Sequence, residues 1–277
     1  MTIDQIIDYA LAEDIGDGDH TSLSTIPAGT SGSAKLLIKD EGVLCGMELA
    51  VKIFHRVDPG LKLNSYKQDG DLIHRGDIAF EVYGSVLSIL SAERLLLNLM
   101  QRLSGIATAT REVVKQLDGL HTRLLDTRKT TPLLRALEKY AVVTGGGMNH
   151  RMGLYDMIMI KDNHVDFSGG IVPAIEAVHR YFLQTGKQLK IEIEVRNFEE
   201  LQQVLDHGRI DRIMLDNFPV NDLARAVKII DGKYETEASG GITPENVRKY
   251  AETGVDFISM GALTHHIRSL DMSLKAG

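Results

Sequence analysis

The second half of the sequence repeats one pattern, a short apolar run that ends in polar residues and is followed by an amphipathic stretch. The repeats begin after Gly119, and the six runs with their polar ends are RLLDTRK, MIMIKDNH, IEIEVRN, RIMLDNF, ETEASGG and FISMGALTH. Near-continuous apolar strands that alternate with helices predict a parallel sheet, because helices cover both faces of such a sheet. Polar residues at the strand ends are what a (β/α) barrel needs to build a site.

Six repeats fall short of a complete (β/α) barrel, so the pattern predicts an incomplete or distorted barrel over residues 106–266. An open doubly wound sheet is the alternative. The segment HIRSLDMSLKAG at the end of the sequence has a helix-like pattern, and we expect residues 267–277 to return to the N-terminal domain.

Residues 1–105 have a mixed pattern that predicts an α+β domain. Short runs bounded by glycine predict strands, and MELAVKIFHRV predicts a helix beside them. The strand candidates are KLLIKD, GVLCG, LKLNSYK and DIAFEVYG. A long helical period follows from Ser88 to about Leu117, and we expect it to be interrupted near Ser104 and Gly105, at the domain boundary.

Charge and cysteine content exclude several classes of protein. A net charge of -7 argues against a general nucleic-acid or membrane-surface binder, because such proteins carry an excess of basic residues. The single cysteine, Cys45, excludes an internal disulfide and fits a reducing compartment. No basic region opens the sequence, and no apolar run approaches the ~18 to 20 residues of a membrane span. We therefore expect a soluble cytoplasmic protein.

The window from His121 to His164 departs from this acidic balance. Its local charge is +3, which leaves -10 for the rest of the chain. The basic residues are Arg123, Arg128, Lys129, Arg135, Lys139, Arg151 and Lys161, and the acidic residues are Asp126, Glu138, Asp156 and Asp162. A cationic window in an acidic protein indicates a site for an anionic small molecule, with solvated helix faces as the alternative.

Several of these cations follow predicted strand ends. Arg128 and Lys129 are adjacent and would point in different directions, so one can hold a carboxylate of one ligand and the other a phosphate of a second ligand. The glycines of TGGGMNHR allow a sharp turn or a close backbone approach, and they deliver His150 and Arg151. Lys161 would be either a Schiff-base nucleophile or an anion-binding charge, and the sequence leaves this open.

Carboxylates and glycines end the later strands. Glu194 and Asp216 can ligate Mg²⁺, hydrogen-bond sugar hydroxyls or stabilise a developing positive charge, whereas Glu192 is expected to lie deeper in the barrel. Ser239-Gly240-Gly241 and Gly261 precede helical segments, where backbone N–H groups bind phosphate in many barrels. A phosphorylated sugar and a second anionic substrate together fit these strand ends.

The same motifs, in their order along the chain, resemble the quinolinate phosphoribosyltransferase family, whose members are also called nicotinate-nucleotide pyrophosphorylases (carboxylating). The resemblance includes EDIGDGDHTS, AERLLLN, LSGIAT, DTRKT, EKYAV, TGGGMNHR, IKDNH, EIEV, LDNF, ASGG and GALTH. It implies an N-terminal open-faced α/β sandwich followed by an incomplete, TIM-like α/β barrel, as in type II phosphoribosyltransferases. It also implies a homodimer or higher homo-oligomer with shared active sites.

The resemblance further implies a role for each site residue. The quinolinate carboxylates would be surrounded by Arg128, His150, Arg151, Lys161 and, from a neighbouring subunit, Arg94. Phosphoribosyl pyrophosphate would be bound by Thr127, Lys129, Glu194, Asp216, Ser239, Gly240, Gly241, Gly261 and His265. The cofactor would be Mg²⁺, served by Glu194 and Asp216, and the catalytic groups would be Lys129, Lys161, Glu194 and Asp216.

The implied reaction transfers phosphoribosyl to quinolinate with loss of CO₂, as a step of NAD biosynthesis. Two alternatives remain at the level of the sequence. One is a Schiff-base barrel lyase that uses Lys161. The other is a non-catalytic binder of phosphorylated metabolites, or the relative of this family that is linked to molybdenum transport.

Overall fold

The chain divides into two compact units in the computed structural model, which describes residues 1–277. The first unit comprises residues 1–111, 131–146 and 266–277, and the second comprises residues 112–130 and 147–265. Residues 131–146 thus group with the first unit, and the bounds of 1–105 and 106–266 stay a prediction from the sequence. None of the helices combines the length and the apolar composition needed to cross a membrane.

A four-stranded antiparallel sheet forms the centre of the first unit, with the strand order β12-β1-β5-β3. These strands are β1 (Ser31–Ile38), β3 (Lys62–Ser65), β5 (Ile78–Ser85) and β12 (Met272–Ala276). A second, two-stranded sheet pairs β2 (Gly42–Val43) with β4 (Leu72–Ile73). A sheet in this unit is therefore confirmed, with three of the four predicted strands in it, whereas the predicted strand GVLCG pairs in the separate two-stranded sheet.

Five helices begin in this unit, and they are α1 (Ile3–Ile15), α2 (His20–Thr25), α3 (Met47–Val57), α4 (Val86–Gln116) and α5 (Arg135–Thr144). Helix α3 buries one apolar face, as its sequence pattern predicts. Phe54 of this face packs edge-on against Phe80 of β5, with ring centroids 5.8 Å apart. Both side chains are almost fully buried, so this contact joins helix and sheet in one core.

The predicted interruption near Ser104 and Gly105 is wrong, because α4 runs without a break from Val86 to Gln116. The Ser104 hydroxyl accepts a hydrogen bond from the backbone N–H of Cys45 at 2.9 Å. A methyl group on Gly105 would collide with the backbone carbonyl oxygen of Arg268. Glycine is thus needed here for the close approach of another segment, and the helix tolerates its lower propensity.

The helix-like interpretation of the C-terminal segment is also wrong, because this segment forms the edge strand β12. Met272 and Leu274 are buried whereas Lys275 is exposed, and the register places Leu274 opposite Leu36 of β1. Buried and exposed side chains thus alternate along this segment, which is the period of a strand. The segment forms a strand because β1 offers it a partner.

All six strands predicted for the second unit are present and form one parallel sheet. They are β6 (Arg123–Leu125), β7 (Ile158–Ile160), β8 (Ile191–Val195), β9 (Arg212–Asp216), β10 (Glu235–Ser239) and β11 (Phe257–Ser259). Their order is β6-β11-β10-β9-β8-β7, so β6 and β7 remain the two edges. An incomplete barrel, in which β6 and β7 do not pair with each other, is therefore confirmed.

Helices follow the strands of this sheet, as a parallel arrangement requires. They are α6 (Asp162–Ser168), α7 (Ile171–Thr185), α8 (Phe198–His207), α9 (Val220–Ile230), α10 (Val247–Ala251) and α11 (Ala262–His265). The apolar strand residues Ile193, Ile213 and Ile258 are fully buried. Their burial explains the apolar runs of β7, β9 and β11, whereas β8 and β10 alternate apolar or small residues with glutamates.

The position of Gly105 predicts that Gly105→Ala destabilises the protein. An alanine in a helix normally stabilises it by up to about 1 kcal/mol relative to glycine, but the overpacking here should cost about 1–3 kcal/mol. We expect a lower urea midpoint of unfolding. The control is Asn98→Ala at an exposed position of the same helix, which should leave the midpoint unchanged or raise it. A gain in stability for Gly105→Ala would contradict the packing argument.

Candidate active site

A cleft of about 700 Å³ opens at the carboxyl ends of the six parallel strands of the second unit. The register of the sheet aligns these ends, since Ser239 of β10 lies opposite Asp216 of β9 and Glu194 of β8 lies opposite Met214. Among the residues that line the cleft are Thr127, Arg128, Lys129, His150, Arg151, Lys161, Glu194, Asp216, Ser239, Gly240, Gly241, Gly261 and His265. Every residue in that group was predicted from the sequence.

The segment that carries His150 and Arg151 is held against the end of β6 by backbone pairing. Met148 forms a parallel bridge with Leu125, and its N–H donates to the carbonyl oxygen of Leu124 at 2.8 Å. The backbone N–H of His150 then donates to the buried carboxylate of Asp126 at 2.8 Å. These contacts place the side chains that follow the glycine turn in the cleft.

Arg128 and Arg151 form the cationic side of the cleft. Burial lowers the pKa of Arg151, and the positive charge of Arg128 lowers it further. Two guanidinium groups that repel one another in a partly buried site favour an anion between them. This side of the cleft is suited to a ligand with carboxylate or phosphate groups.

His150 lies on a buried cluster of charged groups beneath this side. Its Nε2 is 3.0 Å from Oε2 of Glu192 and 3.3 Å from Oε2 of Glu237. Nη1 of Arg212 lies 3.1 Å from the same Glu237 oxygen. Burial opposes protonation of the ring, but the nearby carboxylates of Glu192 and Glu237 outweigh it and raise the pKa of His150 to about 9.

Carboxylates define the middle of the cleft. The ammonium group of Lys161 lies 3.2 Å from Glu194, and the side-chain amide of Asn217 donates to Asp216 at 2.6 Å. Burial raises the pKa of both carboxyl groups, and the charge of Asp216 adds to the effect on Glu194. Two partly buried carboxylates on neighbouring strands fit a hard divalent cation, since oxygen is the ligand that Mg²⁺ prefers. The donor set is thus compatible with Mg²⁺.

Glycines shape the opposite side of the cleft. Gly240 and Gly241 have positive φ angles of 90° and 63°, and a methyl group on Gly240 would collide with the side chain of Asn217. A Cβ at Gly261 would lie 2.9 Å from Cδ of Lys129 and 3.0 Å from Nε2 of His265. These positions leave backbone exposed to a ligand, which is the arrangement that phosphate-binding loops use.

Two hydrogen bonds to its backbone hold Lys129 at the glycine side of the cleft. Its N–H donates to the hydroxyl of Thr127 at 3.1 Å, and its carbonyl oxygen accepts from the hydroxyl of Thr264 at 2.7 Å. Cδ of Lys129 lies beside Gly261, whereas Arg128 lies near Arg151, so the two side chains reach different parts of the cleft.

Comparison with known proteins decides the family. Residues 19–104 match the model for the N-terminal domain of quinolinate phosphoribosyl transferase, and residues 106–275 match the model for its C-terminal domain. The chain is 43% identical over 274 residues to a probable nicotinate-nucleotide pyrophosphorylase (carboxylating) of Bacillus subtilis, covering 99% of this chain and 93% of that protein. The chain belongs to the quinolinate phosphoribosyltransferase family.

Other members of the quinolinate phosphoribosyltransferase family agree in sequence and structure. A mitochondrial quinolinate phosphoribosyltransferase (decarboxylating) of Nicotiana tabacum is 45% identical over 287 residues, covering 98% of this chain and 81% of that protein. The solved nicotinate-nucleotide pyrophosphorylase of Francisella tularensis has a TM-score of 0.93 and 39% identity, covering 99% of this chain and 96% of that one. The family resemblance in the sequence is therefore confirmed.

One residue that the family resemblance assigns to the active site does not line the cleft. Arg94 is exposed on α4 in the first unit, and it does not line the cleft of the second unit. Its predicted role depends on a neighbouring subunit and stays a prediction.

Four polar residues that line the cleft were not singled out from the sequence, namely Asp162, Asn217, Glu237 and Ser259. Asp162 and Asn217 directly follow predicted site residues and could have been included on that ground. Glu237 stands two residues before Ser239 on the same strand face, which is the signal that would have found it.

Proposed function

We propose that the protein catalyses the reaction of its family, the transfer of the phosphoribosyl group from 5-phosphoribosyl 1-pyrophosphate to quinolinate. The products are nicotinate mononucleotide, pyrophosphate and CO₂, and the reaction is a step of NAD biosynthesis. The observation that carries this proposal is one cleft with a cationic side, central carboxylates and a glycine-lined side. Two polyanionic substrates can meet in such a cleft without competing for the same groups.

Quinolinate would bind on the cationic side. Its two carboxylates match the guanidinium groups of Arg128 and Arg151, which can each form paired hydrogen bonds. The folded protein already carries the cost of holding these charges in a partly buried site, because burial first and the charge of Arg128 second lower the pKa of Arg151. A dianion relieves that repulsion, so the site favours quinolinate over a molecule with one carboxylate.

Phosphoribosyl pyrophosphate would bind across the middle and the glycine side. The 5′-phosphate would accept hydrogen bonds from the backbone at Gly240, Gly241 and Gly261, with His265 beside it. Glu194 and Asp216 would hold the ribose hydroxyls and Mg²⁺, which would neutralise the pyrophosphate charge as that group leaves. Lys129 would approach the pyrophosphate as a point charge.

The chemistry follows from where charge develops. Cleavage of the bond between C1 of the ribose and pyrophosphate leaves an oxocarbenium-like centre, which the carboxylates of Glu194 and Asp216 would stabilise. The pyridine nitrogen then attacks C1. The quaternised nitrogen accepts the electrons released when the adjacent carboxylate leaves as CO₂, and a proton replaces that carboxylate on the ring.

Lys161 would act in this scheme through its charge. Its side chain forms an ion pair with Glu194 at 3.2 Å, and this contact holds a positive charge in the middle of the cleft. Electron withdrawal by the quaternised ring makes a protein nucleophile unnecessary. This geometry favours the phosphoribosyl transfer over a Schiff-base lyase.

We further propose a cytoplasmic homodimer or higher homo-oligomer in which Arg94 completes the quinolinate site of a neighbouring subunit. The support is that Arg94 is exposed on α4 and lies outside the cleft lining of its own chain. The buried, unpaired Cys45 is compatible with the reducing cytoplasm.

Product analysis tests the proposed function directly. Purified protein incubated with quinolinate, phosphoribosyl pyrophosphate and Mg²⁺ should form nicotinate mononucleotide and release equal amounts of CO₂ and pyrophosphate. Addition of excess chelator should stop the reaction if the metal is required. Product from nicotinate but not from quinolinate would contradict the proposal and indicate the non-decarboxylating reaction.

The division of the cleft predicts an unequal effect of Arg151→Ala on the two substrates. Loss of a charge-assisted, bidentate contact should weaken quinolinate binding by about 1.5–3 kcal/mol, roughly 10- to 150-fold, with a much smaller effect on phosphoribosyl pyrophosphate. Calorimetric titration of each substrate alone measures this. The matched control is Arg180→Ala at an exposed position of α7. Equal losses for both substrates would refute the division.

A subunit-mixing experiment tests the role of Arg94. The variants Arg94→Ala and Asp216→Asn should each be nearly inactive, because each damages every site of its own homodimer. Random exchange of subunits would give hybrid dimers with one intact site, and about a quarter of wild-type activity should return. Activity that stays absent, after affinity tags have shown that exchange took place, would place Arg94 outside a shared site.

A further inference from the structure

We propose that Thr264 is a positioning residue, which holds Lys129 so that the ammonium group of Lys129 meets the pyrophosphate of phosphoribosyl pyrophosphate. The inference deepens the proposed function and rests on it for the identity of the ligand. Thr264 belongs to the motif GALTH, beside the predicted site residue His265, but it is not among the residues that line the cleft. Its hydroxyl acts through the backbone of Lys129.

The segments that carry Lys129 and Thr264 leave the sheet side by side. Lys129 follows β6 and Thr264 follows β11, and these two strands pair in parallel, with Leu125 opposite Ser259. The N–H of Met260 then donates to the carbonyl oxygen of Leu125 at 3.0 Å. Because parallel pairing aligns the ends of neighbouring strands, the loops that follow them begin next to each other.

A hydrogen bond between a side chain and the backbone joins the two segments. The hydroxyl of Thr264 donates to the carbonyl oxygen of Lys129 at 2.7 Å, which is a good distance for such a bond. Thr264 is fully buried, so its hydroxyl has no bulk water to bond instead. Removal of this hydroxyl would release the backbone from which the Lys129 side chain projects.

The carbonyl oxygen of Gly261 is the competing acceptor, at 3.2 Å from the same hydroxyl. That oxygen already accepts the backbone N–H groups of Thr264 at 3.1 Å and of His265 at 3.3 Å. A hydroxyl group has a single proton to donate, and the shorter contact favours the carbonyl oxygen of Lys129. The hydroxyl of Thr264 therefore serves the neighbouring segment rather than the turn of its own helix.

Two further contacts hold the rest of Lys129 in place. Its backbone N–H donates to the hydroxyl of Thr127 at 3.1 Å, and a Cβ at Gly261 would lie only 2.9 Å from its Cδ. The backbone and the stem of Lys129 are thus both restrained. A lysine whose backbone is already ordered loses less conformational entropy when its ammonium group binds an anion, so the restraint favours ligand binding.

A role in shaping the phosphate site is the competing interpretation of Thr264. Gly261 and His265, which flank it in the sequence, are assigned to the 5′-phosphate in the proposed function. The two interpretations differ in the ligand that they affect. Ribose 5-phosphate carries the 5′-phosphate but no pyrophosphate, so its binding should not depend on where Lys129 lies.

Thr264→Val tests the proposal, because valine removes the hydroxyl at nearly constant volume. In calorimetric titrations with Mg²⁺ and without quinolinate, binding of phosphoribosyl pyrophosphate should weaken by about tenfold, whereas binding of ribose 5-phosphate should change by less than about twofold. Thr264→Ser keeps the hydroxyl and should restore most of the affinity. If Thr264→Val does not fold, Thr264→Ala removes the same hydroxyl with a smaller side chain, and the same results are expected.

The outcomes separate this inference from the proposed function. A wild-type protein that does not bind phosphoribosyl pyrophosphate would contradict the proposed function itself. A wild-type protein that binds it, together with a Thr264→Val variant that binds it equally well, would overturn the inference alone. Equal losses for phosphoribosyl pyrophosphate and ribose 5-phosphate would also overturn the inference and indicate that Thr264 shapes the phosphate site.

A double-mutant cycle tests whether Thr264 acts through Lys129. Lys129→Met removes the ammonium group and keeps most of the stem. In this background, Thr264→Val should change the binding of phosphoribosyl pyrophosphate by less than about twofold, because the group that it positions is gone. An effect as large as in the wild-type background would show that Thr264 acts by another route, and the proposal would be wrong.

Thr122→Val is the matched control. Thr122 is buried just before β6, and its hydroxyl donates to the carbonyl oxygen of Val255 at 2.6 Å and lies 3.3 Å from that of Ala251. Its chemistry is therefore similar to that of Thr264, but it lies at the amino end of the strand. Thr122→Val should lower the urea midpoint of unfolding without changing the binding of either ligand. A comparable loss of phosphoribosyl pyrophosphate binding would mean that any lost buried hydroxyl weakens the site, which would overturn the proposal.

Discussion

The parallel register of the second unit is the constraint on which the site depends. Hydrogen bonding between parallel strands aligns their carboxyl ends, and the pairs Ser239 with Asp216 and Ile160 with Ile193 show this alignment across the sheet. Residues that are far apart in sequence therefore meet at one edge. Because side chains alternate between the two faces of a strand, a slip of one strand by one residue would turn its strand-end side chains to the opposite face.

The electrostatics of the cleft depend on a few groups that line it and not on the charge of the whole protein. The protein is acidic overall, with a net charge of -7, and this bulk charge says little about the site. Locally, Arg128 and Arg151 repel one another, and Glu194 and Asp216 are held in a partly buried position that raises their pKa values. Such unfavourable arrangements are stable because the sheet fixes the backbone, and ligand charges relieve them.

The sequence predicted the features that depend on local pattern, and it missed those that depend on distant partners. The six strands and the residues at their ends follow from apolar runs, and all but Arg94 of the predicted site residues line one cleft. The break at Gly105 was wrong because the carbonyl of Arg268 explains that glycine, and Arg268 is remote in the sequence. Likewise, β12 depends on pairing with β1, and the ion pairs of Glu237 depend on His150 and Arg212, which are not its neighbours in the sequence.

The central claim is that one cleft holds two anionic ligands on separate groups. Calorimetric titration of quinolinate, with and without saturating ribose 5-phosphate, tests this most directly, because ribose 5-phosphate would occupy the glycine side and cannot react. The account predicts that quinolinate binds with one site per chain in both titrations, and that its dissociation constant changes by less than about threefold. Competition, in which quinolinate binding is lost as ribose 5-phosphate binds, would contradict it.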